Sequence, residues 1–226
     1  MKEINLMLFF GLISVLTFAQ KNETNLIVSP AMTFGNISES QNEINPAFGI
    51  SFAIQELYNI TEKFAIGTEL NYSTNNYKLR NGLYTGDWTS YYESILNIQS
   101  LSIPFILRYK TKKEWIFQAE YGLSYALDSK LKVTSVSINH MNDNAKEQTP
   151  IDQKSNDIKG DLNSNFSVAF GKGFTIKQYD AMIQIYFDQI LDEYHFSHSI
   201  GNSNNEYMME YTVNPHLMGL RLGIKL

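Results

Sequence analysis

The residues best placed for covalent chemistry are His195-Phe196-Ser197, followed by Glu206 and Glu210. These are the residue types by which a histidine can take a serine's proton while a carboxylate orients the ring. His195 and His198 stand at a spacing that could also ligate a metal, but neither His140 nor His216 completes a recognisable ligand set. Asp128, Asp143, Asp152, Asp157 and Asp161 could offer oxygen to calcium, yet they lack the ordered spacing of a calcium loop. There is no cysteine, phosphate-cradling glycine loop or nucleotide fingerprint. The expectation is therefore no metal, no cofactor and no catalytic residue, with His195 and Ser197 in a solvated loop. Five other charges, Glu69, Arg108, Glu120, Asp188 and Arg221, each fall on the polar side of a segment of alternating polarity.

That alternation shows what must carry these residues. Phe48, Ile50, Phe52 and Ile54 alternate with Gly49, Ser51, Ala53 and Gln55, and Phe64, Ile66, Leu70 and Tyr72 with Ala65, Gly67, Glu69 and Asn71. Leu101 to Tyr109, Trp115 to Tyr125, Leu162 to Phe174, Tyr179 to Phe187 and Met218 to Leu226 repeat the pattern. Period two is the signature of β-strands whose successive side chains point to opposite faces. With a weaker strand near Asn25 to Gly35, interrupted by Pro30, the segments make an even set of eight.

The links between them alternate as strictly as the side chains. Asn59 to Lys63, Lys110 to Glu114 and Thr175 to Gln178 are tight, whereas Asn36 to Asn45, Ser73 to Ser94, Asp128 to Gly160 and Leu191 to Glu206 are long and polar. Such order is that of an up-and-down barrel with short turns in the periplasm and long loops outside the cell. Tyr58, Phe64, Tyr109, Trp115, Phe174 and Tyr179 flank the short turns on the apolar face, where amphipathic rings would form a girdle at the headgroup level. The polar face mixes Gly67, Gly122, Gly171, Gly219 and Gly223 with the five charges. A narrow eight-stranded interior wants small residues and charges that can pair, so the polar face is expected inside and the apolar face in lipid. A soluble ligand-binding barrel, apolar inside, is the alternative.

Lys2 precedes an apolar run from Leu6 to Phe18, and Thr17 and Ala19 suit a cleavage site, so residues 1–19 read as a signal peptide and residues 20–226 as one barrel domain. Beyond that run no apolar stretch approaches the ~20 residues of a membrane helix. The formal charge of −5 offers no basic patch for nucleic acid.

Leu101-Ser102-Ile103-Pro104-Phe105-Ile106-Leu107-Arg108-Tyr109, a short basic turn, Phe117-Gln118-Ala119-Glu120-Tyr121-Gly122-Leu123 and the terminal Leu220-Arg221-Leu222-Gly223-Ile224-Lys225-Leu226 together resemble the PorT-like outer-membrane β-barrels of Bacteroidetes. The resemblance implies an eight-stranded antiparallel transmembrane barrel, non-enzymatic and monomeric, set in outer-membrane lipid. It further implies a scaffold or accessory role beside other envelope or secretion proteins. His195-x-Ser197 with a later glutamate is similar to the lipid A deacylase barrels, which makes a lipid A-modifying hydrolase the enzymatic alternative. Strands committed to lipid and a filled lumen leave recognition to loops. Tyr77, Tyr84, Trp88, Tyr91 and Tyr92 of the Ser73 to Ser94 link are therefore the expected contact residues, the bland reading being that both strands simply continue upward. Proline cannot donate to a ladder, so Pro104 predicts a bulge or an unpaired position.

Overall fold

The computed structural model describes residues 22–37, 42–85, 88–139, 145–152, 158, 160–202 and 205–226; the expected leader at residues 1–19 lies outside them. These residues form β1 (Asn22–Ile37), β2 (Asn42–Asn45), β3 (Ala47–Asn59), β4 (Phe64–Thr85), β5 (Trp88–Lys110) and β6 (Trp115–Asn139). There follow β7 (Ala145–Asp152), β8 (Leu162–Ile176), β9 (Tyr179–Ile190), β10 (Tyr194–Asn202) and β11 (Asn205–Lys225). Eight of them pair antiparallel in the order β1-β3-β4-β5-β6-β8-β9-β11, and β1 returns to β11 with Asn25 opposite Lys225, closing the barrel. The three tight links are turns as expected, from Asn59 to Phe64, Lys110 to Trp115 and Ile176 to Tyr179.

The four links expected as long loops are built differently. β4 runs to Thr85 and β5 starts at Trp88, with Thr85 paired to Trp88, so the described residues from Ser73 to Ser94 lie in two paired strands; β6 runs to Asn139; and β2, β7 and β10 pair with β4, β6 and β11 at that same end. His195 and Ser197 accordingly sit in a strand, β10, rather than in a loop.

The reason is an inversion of polarity along single strands. Near the short turns, outward residues are apolar and exposed, as Phe105, Leu107, Phe117, Tyr121 and Leu123 are, while Arg108, Gln118, Glu120 and Ser124 are buried inside. Higher up the inward residues become apolar, with Tyr77, Leu96, Ile98, Leu131 and Val133 buried, and the outward ones polar, as Lys78, Asn97 and Lys132. The lower part is dressed for lipid and the upper part for water. On β6 the outward apolar run from Trp115 to Leu127 suits a membrane band about 25 Å tall once strand tilt is allowed for. On β6 the change goes with one extra residue: pairing with β5 shifts register between Gln99 and Ser100, and Leu127 is the residue skipped on β6. Past this bulge the inward positions on β6 change from even to odd numbers, which brings Leu131 and Val133 inside.

Pro104 is paired with Gly122 on β6, but its edge toward β4 is open, since the β4 ladder skips from Thr68–Phe105 to Asn71–Ser102. The Thr68 hydroxyl donates to the Pro104 carbonyl at 2.8 Å, supplying from a side chain the donor that the ladder lacks there. Pro30 does the same to the closing seam, which skips from Val28–Leu222 to Ala31–Gly219.

Candidate functional site in the lumen and above the membrane band

Midway through the band, β4, β5, β6 and β11 point charged side chains at one another. Arg221 donates to both oxygens of Glu120, Nη1 to Oε1 and Nη2 to Oε2 at 3.0 Å, and lies 3.8 Å from Glu69 Oε1. Its guanidinium also covers the Tyr186 ring at 5.3 Å. Arg108, one layer nearer the turns, donates to Gln118 Oε1 through Nε at 2.9 Å, to Glu23 Oε1 through Nη1 at 2.9 Å and to Gln55 Oε1 through Nη2. Gln55 passes the connection on to Glu69 at 3.1 Å, and Gln118 passes it to Glu120. One network therefore ties six strands together. Charge-assisted bonds of this kind are the strong ones, and burial makes them stronger.

Arg108 takes as its acid partner Glu23, which is not among the five charges that the sequence places on the polar face. Glu23 lies at the very start of β1, the strand whose alternation is weakest, and nothing in its spacing marks it as inward-facing. Asp188 is held by Asn165 Nδ2 at 3.2 Å. A cavity of about 40 Å³ lies beside the charge layer, among Ser51, Asn71, Ser73, Ser102 and Asn165.

Apolar layers lie on both sides of the charges. Leu57, Ala65 and Ile106 with Ile27, Ile116 and Met182 lie toward the turns, where a polar vestibule of about 360 Å³, lined by Glu23, Glu62, Lys63 and Glu114, opens below Arg108. Tyr77, Leu96, Leu131, Tyr194, Val213 and Leu217 belong to the larger cluster above. Eight strands enclose a bore that side chains can fill, and around the charge layer they leave a space of about 40 Å³. In planar bilayers the refolded protein is expected to leave the baseline flat at 100 mV across most insertions; a stable, ion-sized conductance step would show that these layers do not seal.

On the outer wall an aromatic band runs across four strands. Phe64 and Tyr109 are 4.8 Å apart, Tyr109 and Phe117 6.3 Å, Phe117 and Phe170 4.9 Å, and Trp115 stacks on Phe170 at 5.0 Å. Phe117 and Phe170 join it although the sequence reading, which looked only beside the turns, did not include them. Phe174 and Tyr179 are exposed on the same wall and Tyr58 is half-buried. A second cluster, Phe34 with Phe187 and His216, marks the upper edge.

Of the aromatic residues assigned to a contact loop, Tyr77 is 1% exposed and lies in the upper core, and Tyr92 packs against that core. Both are corrected to structural roles: they belong to strands that continue upward with their apolar side inward. Tyr84 pairs with Thr89 and Trp88 with Thr85 at the hairpin tip, and Tyr91 pairs with Gly82; the side chains of Tyr84, Trp88 and Tyr91 lie outside the described residues. His195 pairs with Thr212, its ring exposed and 3.8 Å from Glu193. Ser197 pairs with Glu210, but the side chains of Ser197 and His198 are outside the described residues, as is His140 altogether. Among the described residues no group of three or more His, Asp or Glu could hold a metal. Between β9 and β10, the Ser164 amide and hydroxyl donate to Asp192 Oδ2 at 2.5 and 2.8 Å, holding that carboxyl below the usual carboxylate range.

A closed antiparallel barrel, apolar outside and charged within, is a transmembrane β-barrel. The chain belongs to the outer membrane protein beta-barrel domain family, whose profile matches residues 14–205, and the protein is accordingly one of the bacterial outer membrane. No curated protein matches it by sequence. Among solved structures it is similar to Neisserial surface protein A, at 14% identity over 90% of this chain and 96% of that one, TM-score 0.43. It is similar also to the outer membrane protein OprG of Pseudomonas aeruginosa, at 10% identity over 92% and 97%, TM-score 0.49. The outer membrane protease OmpT of Escherichia coli follows at 8% identity over 90% and 96%, TM-score 0.43.

Proposed function

We propose that this barrel is a non-enzymatic scaffold or accessory protein of an envelope assembly, PorT-like in kind, whose partner contacts lie on the strands that stand above the membrane band. The observation that carries this reading is the inverted upper section. Strands β4, β5 and β6 hold a buried core of their own there and present a water-facing outer surface, in which Lys78, Ile95 and Lys132 lie side by side across three strands. Ile95 is 42% exposed between the two lysines. A rigid sheet that costs little to order on binding is a favourable contact surface. The filled lumen favours contact over conduction.

A lipid A hydrolase would need His195 and Ser197 joined in a desolvated site with an orienting carboxylate. The described ring is instead 69% exposed on its side chain, which is poor support for that alternative.

Photocrosslinking residues placed at Ile95 and Lys132 in living cells are expected to trap a discrete envelope protein, while one at Leu123 in the lipid band traps none. Y84S/W88S should reduce that adduct if the hairpin tip takes part, with heat-modifiable gel mobility intact. Absence of any protein adduct along the upper strands would overturn the proposal.

A further inference from the structure

The lipid-facing wall is not uniform. Two rows of outward side chains cross the strands side by side. Phe64, Tyr109, Phe117, Phe170 and Ile185 form the lower row, and Ile66, Leu107, Ala119, Val168 and Phe187 the upper. Between them lies an apolar groove of about 970 Å³ that begins at Ile60 and Thr61 in the β3–β4 turn and ends at Met218 on β11. Ala119 is the small residue along its length, and it leaves the floor open where a larger side chain would fill it. Five interstrand steps of about 4.8 Å make the track about 24 Å long, the reach of an extended fatty acyl chain.

The two turns below the groove carry more lysine than glutamate. Lys63 stands exposed beside Glu62 in the β3–β4 turn, where it also borders the lumen vestibule, and Lys112 and Lys113 are exposed beside Glu114 in the β5–β6 turn. Lys110, beside them, is engaged with Glu114 at 2.5 Å. Lys172 lies over the Trp115 ring at 5.8 Å, at the level of the aromatic band. Short turns face the periplasm in barrels of this class. Lysines at that level extend their stems along apolar surface and hold their charge among headgroups.

We propose that the groove and this collar together bind one anionic phospholipid of the periplasmic leaflet. Its acyl chain lies along the track over Ala119, and its phosphate-bearing headgroup is held by Lys63, Lys112 and Lys113. Charge complementarity selects the occupant: an apolar track alone accepts any acyl chain, whereas basic side chains at its membrane-surface end favour a headgroup of net negative charge over a zwitterionic one. The proposal is independent of any partner bound above the membrane.

Trp115 supplies the readout. In a W88F background, which leaves Trp115 as the reporting tryptophan, the barrel is refolded into vesicles of zwitterionic phosphatidylcholine. These contain increasing fractions of brominated phosphatidylglycerol or brominated phosphatidylethanolamine. Quenching by phosphatidylglycerol is expected at a mole fraction at least three-fold lower than by phosphatidylethanolamine, with the preference shrinking as salt is raised. Free glycerol phosphate should not displace it, because it lacks the chain. K63Q/K112Q/K113Q, on exposed turns, should abolish the preference while heat-modifiable mobility is kept. Ala119→Leu, which fills the track with the collar intact, should raise the phosphatidylglycerol fraction needed; Ala119→Val serves the same end if the leucine variant does not fold. Equal quenching by the two lipids in the parent protein, or a preference that survives all three lysine substitutions, would overturn the proposal.

Discussion

Replacing Arg221 by methionine is expected to destabilise the barrel by about 3–5 kcal/mol, because it leaves a buried carboxylate pair without its cation. Arg221 and Glu120 are each 4% exposed and Glu69 2%, so neither acid can recover its lost partner from bulk water. Both would then face each other in the lumen. Removing a whole ion pair is a different matter from breaking it, since an apolar or neutral replacement of both partners is often close to neutral. Arg221→Met with Glu120→Gln should therefore recover much of what the single change loses. Urea titration of the refolded protein in lipid vesicles, followed by tryptophan fluorescence, measures both. A single-variant loss under about 1 kcal/mol, typical of an exposed pair, would mean that this layer is well hydrated.

Gly171→Val is expected to abolish folding to the heat-resistant form. A Cβ at Gly171 would lie 1.9 Å from the Ile183 carbonyl oxygen and 2.5 Å from the Gln184 Cα, backbone atoms of the neighbouring strand that no rotamer change can move. Overpacking of flexible cores costs about 1–3 kcal/mol, and a clash with a hydrogen-bonded strand costs more, against a typical total of about 5–15 kcal/mol. Gly173→Ala, two residues along, is the control. The nearest atom to its Cβ is the end of the Glu114 side chain at 3.3 Å, which can give way. Heat-modifiable mobility after refolding should separate the two variants completely; a folded Gly171→Val barrel would show that β8 and β9 can spread.

The strands within lipid were legible because each is dressed by a solvent on one side and a narrow bore on the other, so polarity alternates without interruption from Phe117 to Ser124 or Leu220 to Lys225. The tight turns were legible for the same reason. What escaped was the region where the surroundings change while the strand does not. On β4 and β5 the alternation continues at the same parity through Asn75–Tyr77 and Leu96–Ile98, but with apolar residues now inward, so a search for apolar-outward positions reads it as polar loop. On β6 the bulge at Leu127 changes the parity as well, so the apolar residues stay on odd numbers, Tyr125, Leu127, Leu131 and Val133, while passing from the outer to the inner face, and nothing in the alternation marks the change. The charge layer was readable as a set of residue types; its partnerships were not, because sequence spacing carries no information on which charges share a height in a closed barrel. Glu23 shows this, reaching Arg108 across 85 positions of chain.

The open positions at Pro30 bear on how the barrel completes itself. The β1–β11 ladder joins residues about as far apart in sequence as the described chain permits, Asn25 with Lys225, so it is the pairing with the largest loop-closure entropy and the one formed last. It is also the ladder that Pro30 interrupts, between Val28–Leu222 and Ala31–Gly219. The final step of assembly and the first step of disassembly thus fall on the same line down the wall, a built-in zip whose weakest teeth lie in the middle of the membrane. Deuterium should enter the amides bordering this line, Ala31 and Leu222 among them, ahead of those in the β5–β6 ladder at the same depth.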